Sequence, residues 1–538
     1  MIKWLRKGFG SWREASLAPF RLKLFRGLWV AALVSNVGAA VQAVGASWSM
    51  VTMSASPQIV ALVQTAATLP IVLLALPAGA LADNVDRRTL MIAAQILGAF
   101  SAAVLAALSF AGLLSPLALL GLTFGVGSAV ALYQPPWQAS LGDIVPRKFL
   151  PAAVSLNVLG FNLARSIGPL VGGVAIASLG SSITFLFNAF SFLILISVLT
   201  FARFPKADRR HPPEQMIPAI ATGLRFVSLS PALQQIYVRA SLFGFGASAV
   251  WSLLPVIAHA RFGGSPMTFG LLMGALGAGS FCGAIVSTWF RSFTGNDRMV
   301  TLSVGGFGSA TLGLAFSPLP VLSAVFAFAA GVAWIFVFTT TRTCVQLSSP
   351  RWVVGRTVSF GQVATFGCMS IGAACWGALA NVFSVDTALL IAGGFLLLSM
   401  LAALVAKLPS TDPNDVAAQP ERRSPPPPRI ALHGEDGPVV VTIEYDVPPE
   451  RASEFLTLMN ELSRVRRRNG ATLCTLQQDI DKPESWIERV HSPTWSDHLR
   501  RLDRYTADER ELVARAETFR TSEQKSVRRM VERPRSSA

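Results

Sequence analysis

Apolar runs dominate the first three-quarters of the chain. They fall near 28–50, 58–82, 90–111, 115–136, 152–178, 182–202, 236–258, 268–290, 299–316, 319–341, 357–382 and 386–406. At about 1.5 Å of rise per residue, each is roughly long enough to cross about 30 Å of hydrocarbon as a helix. Gly and Pro recur within them, which membrane helices tolerate. The pattern predicts twelve membrane-spanning helices. The loops between them alternate in kind. One set (51–57, 112–114, 179–181, 259–267, 317–318, 383–385) holds a single cation, Arg261. The other set carries Arg87, Arg88, Arg147, Lys148, Arg203, Lys206, Arg209, Arg210, Arg291, Arg298, Arg351 and Arg356. Lys and Arg are retained on the cytoplasmic side, so this set and both termini are expected there.

The runs divide at the longest cation-rich loop, 203–235, into six-helix halves at 28–202 and 236–408. A shift of 204 residues aligns Gly79 with Gly283, Arg87 with Arg291 and Gly127 with Gly331. The same shift aligns Ser155 with Ser359, Gly168 with Gly372 and Gly173 with Gly377. Single Gly matches arise by chance, but a constant offset at equivalent helix positions points to an internal repeat. Residues 1–27 are basic, with Trp4, Leu5, Phe9 and Trp12 among the cations, and are expected to lie at the membrane surface.

The pattern changes after Leu408. Residues 409–437, with four prolines at 425–428, read as a stiff linker. In 438–538, strands are predicted at 439–445, 471–478, 485–491 and 526–532, and helices at 449–468 and 494–519. Phe455, Leu458, Met459, Leu462 and Val465 mark the buried face of the first helix. The order β-α-β-β-α-β predicts a soluble ferredoxin-like α+β domain. The fold class expected is thus an all-α membrane body with a small α+β tail.

Composition sharpens this picture. Only 14% of residues are charged against 52% hydrophobic, and eight of the 30 carboxylates precede residue 410. The net charge of +16 therefore sits in the apolar body, where it reads as membrane topology and not as nucleic-acid binding. The five cysteines show no paired spacing, so neither a metal site nor a disulfide framework is expected. There is no phosphate-binding loop for ATP, and no cofactor or catalytic residue is expected.

The loop after the second run reads Gly79-Ala80-Leu81-Ala82-Asp83-Asn84-Val85-Asp86-Arg87-Arg88. It resembles the signature loop of the major facilitator superfamily, with Asp86 where a second glycine is usual. The stretches Pro135–Arg147, Asn157–Gly173 and Gly355–Arg356 are similar to the superfamily branch that includes the enterobactin exporter, often called transmembrane secretion effectors. The resemblance covers nearly the whole chain. It implies two six-helix halves with a substrate site between them near the midplane, and proton-coupled export of a small molecule. The signature loop reads as a gate. Gly79 would let a neighbouring helix approach. Asp83 would sit against the N-terminus of the eleventh helix near Thr357 and Ser359 and pair with Arg87 or Arg88, and these contacts would form and break as the halves rock. Asp143 is a further gate candidate.

Arg165 is the deepest cation of the first half. It shares a helical face with Asn157 and Phe161. It reads either as an anion contact in a central cavity or as a structural pin. Asn162 on the same helix is a further candidate. Asn36, Gln42, Gln64 and Gln134 are polar groups in other apolar runs of the first half, and for each alone helix-to-helix hydrogen bonding is a better account than lining a cavity. As a set they suggest a polar first-half wall facing a more apolar second half. Gly168-Pro169 and Gly172-Gly173 are expected to pack the fifth helix tightly. None of the eight carboxylates lies mid-helix, so a deep acidic proton carrier is missing.

The function expected is secondary active export of a siderophore, drug or other small metabolite from a bacterial inner membrane. The tail is expected to regulate or self-associate. A membrane sensor or scaffold, or a membrane-anchored α+β enzyme, are the alternatives.

Overall fold

The structure is a computed structural model that describes residues 18–53, 56–202, 204, 216–350, 352–409, 428–520 and 527–533. The basic segment up to residue 17 and most of the Pro-rich linker lie outside them. Among the described residues, twelve helices are long and apolar enough to cross a membrane. The first half comprises α1 (Lys23–Met53), α2 (Pro57–Asn84), α3 (Arg87–Phe110), α4 (Pro116–Ile144), α5 (Leu150–Leu179) and α6 (Ser182–Phe201). In the second half, α7 is Pro231–Arg261, α10 Pro320–Leu347 and α11 Val354–Val382. Between α7 and α10, one helical run, Pro266–Phe316, provides two spans, α8 (Pro266–Ser287) and α9 (Trp289–Phe316). The run turns at Gly295, whose φ of 74° is open to glycine and strained for other residues. The last span, α12 (Val385–Val405), is interrupted after Ser399.

Helix starts follow local chemistry. Asp86 caps α3 by accepting from the Thr89 amide at 2.9 Å, and Ser384 caps α12 through the Thr387 amide at 3.0 Å. Pro leads α2, α4 and α8, where its missing N–H costs nothing.

The repeat is visible in the packing. Gly127 places α4 against the backbone of α2 at Ala67, and Gly331 places α10 against the backbone of α8 at Leu276. Gly168 packs α5 on α1 at Ala40, and Gly372 packs α11 on α7 at Phe245. Gly173 packs α5 on α8 at Gly270, and Gly377 packs α11 on α2 at Ala61 and Gln58. At each position an added Cβ would collide with its neighbour. Residues 204 apart thus make equivalent contacts in the two halves.

The chain forms two compact units. The first holds most of the twelve helices. The second comprises 409–538 together with 217–234 and 344–357, the segments before α7 and between α10 and α11. Its sheet has the order β2-β3-β1-β4, antiparallel throughout, from β1 (Val439–Asp446), β2 (Leu473–Gln478), β3 (Ser485–Ser492) and β4 (Val527–Val531). Helix α13 (Ala452–Arg468) packs on it through Phe455, Leu458, Met459 and Leu462, against Tyr445, Trp486 and Phe519.

The single helix expected over 494–519 is two, α14 (Trp495–Asp503) and α15 (Ala507–Glu517). Thr506 and Glu509 form a reciprocal capping box that starts the second afresh. Within this unit the domain holds both loop segments. Arg225 donates to the Ala471 carbonyl at 3.0 Å, and Arg504 lies 4.0 Å over the Trp352 ring. Arg468 lies 5.6 Å over Phe226, whose ring meets Trp352 edge-on at 5.5 Å.

Candidate functional site

The two halves meet along two antiparallel helix pairs. Between α2 and α11 the contacts begin at the cation-poor end, where Ser56 donates to Asn381 Oδ1 at 3.0 Å. They continue through Thr65 to the Ser370 carbonyl at 3.0 Å and Thr68 to Ser370 Oγ at 2.6 Å. They reach the helix midpoints where Gly367 faces Val72. Between α5 and α8 they begin at Gly173 and Gly270 and reach Ser166, which donates to the Gly277 carbonyl at 2.6 Å. At the same cation-poor end Trp48 stacks on Phe269 at 6.0 Å and meets His259 at 5.7 Å. Both tracks therefore join the halves from the cation-poor ends to mid-helix.

Arg165 sits where the α5–α8 track reaches mid-helix. Its guanidinium lies 4.8 Å from the Trp251 ring and 5.8 Å from both Phe161 and Trp334. The cation comes from the first half, and two of its three rings come from α7 and α10 of the second. Among the described residues no carboxylate pairs with it. An aromatic face stabilises a desolvated cation by about 2 kcal/mol, less than an ion pair would in the same place. The site thus retains unmet positive potential. Trp334 is itself fixed by Phe338, stacked at 6.0 Å, and by Phe243 at 5.6 Å. The buried Trp251 Nε1 has no acceptor among the described residues.

The other predicted residues fall into different settings. Gln42 is buried and accepts from Asn188 Nδ2 at 2.6 Å, joining α1 to α6. Asn157 accepts from Trp137 Nε1 at 2.9 Å, joining α5 to α4. Asn162 is buried, one turn from Arg165. Asn36 on α1 and Gln134 on α4 are half-buried, with no hydrogen-bond partner among the described residues. Gly168 and Pro169 are both buried within α5.

In the signature loop, α2 runs as helix to Asn84, and the side chains of Gly79 and Asp83 lie outside those described. Arg87 pairs with Asp143 at 2.6 Å and also donates to the Ala139 carbonyl. Arg88 donates to the Leu199 carbonyl at 2.8 Å and to that of Thr200. Asp297, two residues past the Gly295 turn, pairs with Arg239, and Asp386, in the first turn of α12, pairs with Arg261.

Sequence reasoning passed over three side chains. Trp251 and Trp334 lie in apolar runs, where aromatic rings carry no distinguishing signal. Arg342 on α10 donates to Gln138 Oε1 on α4 at 3.4 Å, bringing together two repeat-equivalent positions at the cation-rich side. The 204-residue offset could have singled out that pair. Among the described residues no cluster of His, Cys, Asp and Glu could hold a metal ion.

Comparisons with known proteins bear on the helical body. The chain is 26% identical to the multidrug efflux pump Tap of Mycolicibacterium fortuitum over 73% of this chain and 97% of that protein. It is 24% identical to the staphyloferrin A transporter of Staphylococcus aureus, over 64% and 86% respectively. It is 28% identical to the enterobactin exporter EntS of Salmonella typhimurium, over 61% and 78%. Among solved structures, the nucleoside transporter NupG superposes with a TM-score of 0.56 at 14% identity, covering 71% of this chain and 98% of that one. A D-xylose–proton symporter does so at 0.58 and 12%, covering 72% and 98%. These place the helical body in the major facilitator fold, and the relatives are transporters, not enzymes. A multi-pass inner-membrane protein follows from the twelve spans and the bacterial exporters it resembles. A family model of transmembrane secretion effectors matches residues 14–537, and the chain belongs to that family.

Proposed function

We propose that this protein is a secondary active exporter that carries a small anionic or amphipathic molecule out of the cytoplasm by alternating access. The observation that carries this reading is Arg165, a cation with no carboxylate partner among the described residues, held between aromatic rings at the midpoint of the seam. Such a group attracts an anion, and flat rings beside it suit an aromatic or otherwise delocalised one. The seam is joined from mid-helix to the cation-poor end, as an exporter needs when it loads from the cytoplasmic side. That orientation, with both termini in the cytoplasm, rests on the loop charges. Siderophore and drug relatives support the substrate class. Energy would come from the proton gradient. With the described carboxylates at helix ends, coupling would pass through Arg87–Asp143, through Asp83 or through ionisation of the substrate.

The C-terminal unit is proposed to be a ferredoxin-like regulatory domain. Its strand order and its hold on two loops support this. Self-association through it would appear as a doubled mass in light scattering of the detergent-solubilised chain, and a monomeric mass would remove that part.

Efflux tests the central claim. Cells lacking the gene are loaded with catecholate and hydroxycarboxylate siderophores and with cationic dyes. Restoring the wild-type chain is expected to lower accumulation of the anionic compounds, and Arg165→Gln to cut that export at least about tenfold at unchanged protein level. Equal export by Arg165→Gln would refute the anion contact. Loss of protein in step with loss of export would make Arg165 a structural pin.

A further inference from the structure

The C-terminal unit buries more guanidinium charge than its own described acids pair. Arg466 meets Glu488 at 3.0 Å, and Arg468 meets Glu509. Arg501 is 3% exposed, yet no described carboxylate lies within ion-pairing distance of it. Its Nη2 instead lies 3.3 Å from Nδ1 of His498, which is 2% exposed.

A guanidinium only donates, so Nδ1 must accept, and the neutral imidazole carries its proton on Nε2. Burial, and then the charges of Arg501 and Arg529, push His498 down to about 4, so the ring is neutral near pH 7. Among the described residues, neither His498 Nε2 nor Arg501 Nε has an acceptor. Two buried N–H donors therefore sit one turn apart on α14, one of them on an uncompensated charge. An unpaired buried charge and unmet buried donors are costly, and one well-placed anion would satisfy both donors and the charge.

The surroundings fit such a guest. Trp495 packs on the His498 ring at 5.3 Å, and Arg529 of β4 lies 5.8 Å over Trp495. Cys474, Val490, Val441 and Arg529 form one cross-strand row. Val490 and Val441 in that row are buried. Burial pushes the Cys474 thiol up, so it adds no negative charge there.

We propose that α14 and the sheet hold a binding site for a small free anion, a carboxylate or phosphate, whose oxygens accept from Arg501 and from His498 Nε2. The planar guanidinium fork suits either group. The site is separate from Arg165. Arg504, which closes the C-terminal end of α14, is the residue that covers Trp352, so the helix that takes the anion also holds the α10–α11 segment.

Hydrogen–deuterium exchange on the purified full chain in detergent, with and without citrate or inorganic phosphate, reads this site directly. At saturating probe, amides of 495–504 and 527–531 are expected to slow about tenfold, in the wild type and equally in Arg165→Gln. Arg501→Gln and His498→Phe are expected to abolish the slowing. Arg501→Lys keeps the charge without the fork and is expected to retain a weaker response, which separates loss of binding from loss of fold. No slowing in the wild type, or equal slowing in Arg501→Gln, overturns the proposal. Slowing lost in Arg165→Gln and kept in Arg501→Gln places the anion in the membrane body and also overturns it.

Discussion

The two six-helix halves share a backbone plan and differ in chemistry. Equivalent glycines set equivalent contacts, Gly127 with Gly331 and Gly173 with Gly377. The side chains between those contacts have diverged. The first half brings Arg165, Thr65, Thr68 and Ser166 to the seam. The second half brings an aromatic cluster in which Trp334 touches Trp251, Phe243 and Phe338, and Phe338 touches Phe366. The repeat therefore carries the scaffold, and its asymmetry carries the chemistry. Neither half contains a complete site, because the cation is on one and two of its three rings are on the other.

The largest effects should come from the shared scaffold. Gly127→Val and Gly331→Val each force a side chain into the backbone of a neighbouring helix, with an expected loss of about 3 kcal/mol. Thermal melts in detergent should show similar losses for the two. Gly121→Ala and Gly306→Ala, at positions open to 4 Å, should leave melting unchanged or raise it. A large effect in one half only would break the symmetry argument.

Next come the diverged residues. Arg165→Gln is expected to cut export at least about tenfold, and Trp334→Leu about fivefold, with melting nearly unchanged. The two together should cost less than the sum of their separate effects, since each removes the same contact.

A pH series sharpens the contrast between the halves and the C-terminal unit. His498 is held neutral when folded and takes up a proton near pH 6.5 when unfolded, so acid favours unfolding. Stability of the unit is full above about 6.5 and falls as pH drops towards about 4, by no more than about 1.4 kcal/mol per pH unit. Exchange at α14 should follow that slope, and His498→Phe should flatten it. The smallest effect concerns Arg87 and Asp143, which are both part-exposed. A double-mutant cycle on melting should give a coupling of at most about 1 kcal/mol.

Much of the scaffold was legible because hydrocarbon imposes a length and a charge asymmetry on every span. The offset of 204 was legible because glycine is the residue that lets two backbones touch. Roles within the seam were harder to read. Gln42 has the same sequence signature whether it lines a cavity or meets Asn188, and only the partner on α6 distinguishes the two. Trp251 and Trp334 are invisible in apolar runs until Arg165 is placed beside them. The break between α14 and α15 did have a local signal, Thr506 followed by Glu509, which the reading of 494–519 as one helix passed over. The hold of Arg225 and Arg504 on Ala471 and Trp352 joins residues more than 150 apart, beyond any local pattern.

Arg165 also has an electrical consequence. An anion that neutralises it and then departs outward carries negative charge away from a negative-inside cell. The membrane potential then contributes about 2.3 kcal/mol per charge for every 100 mV. On the proposed reading, such a cargo draws on the voltage component of the proton gradient directly. A protein of this kind would register as a current, and clamping the voltage to zero would slow it more than abolishing the pH difference.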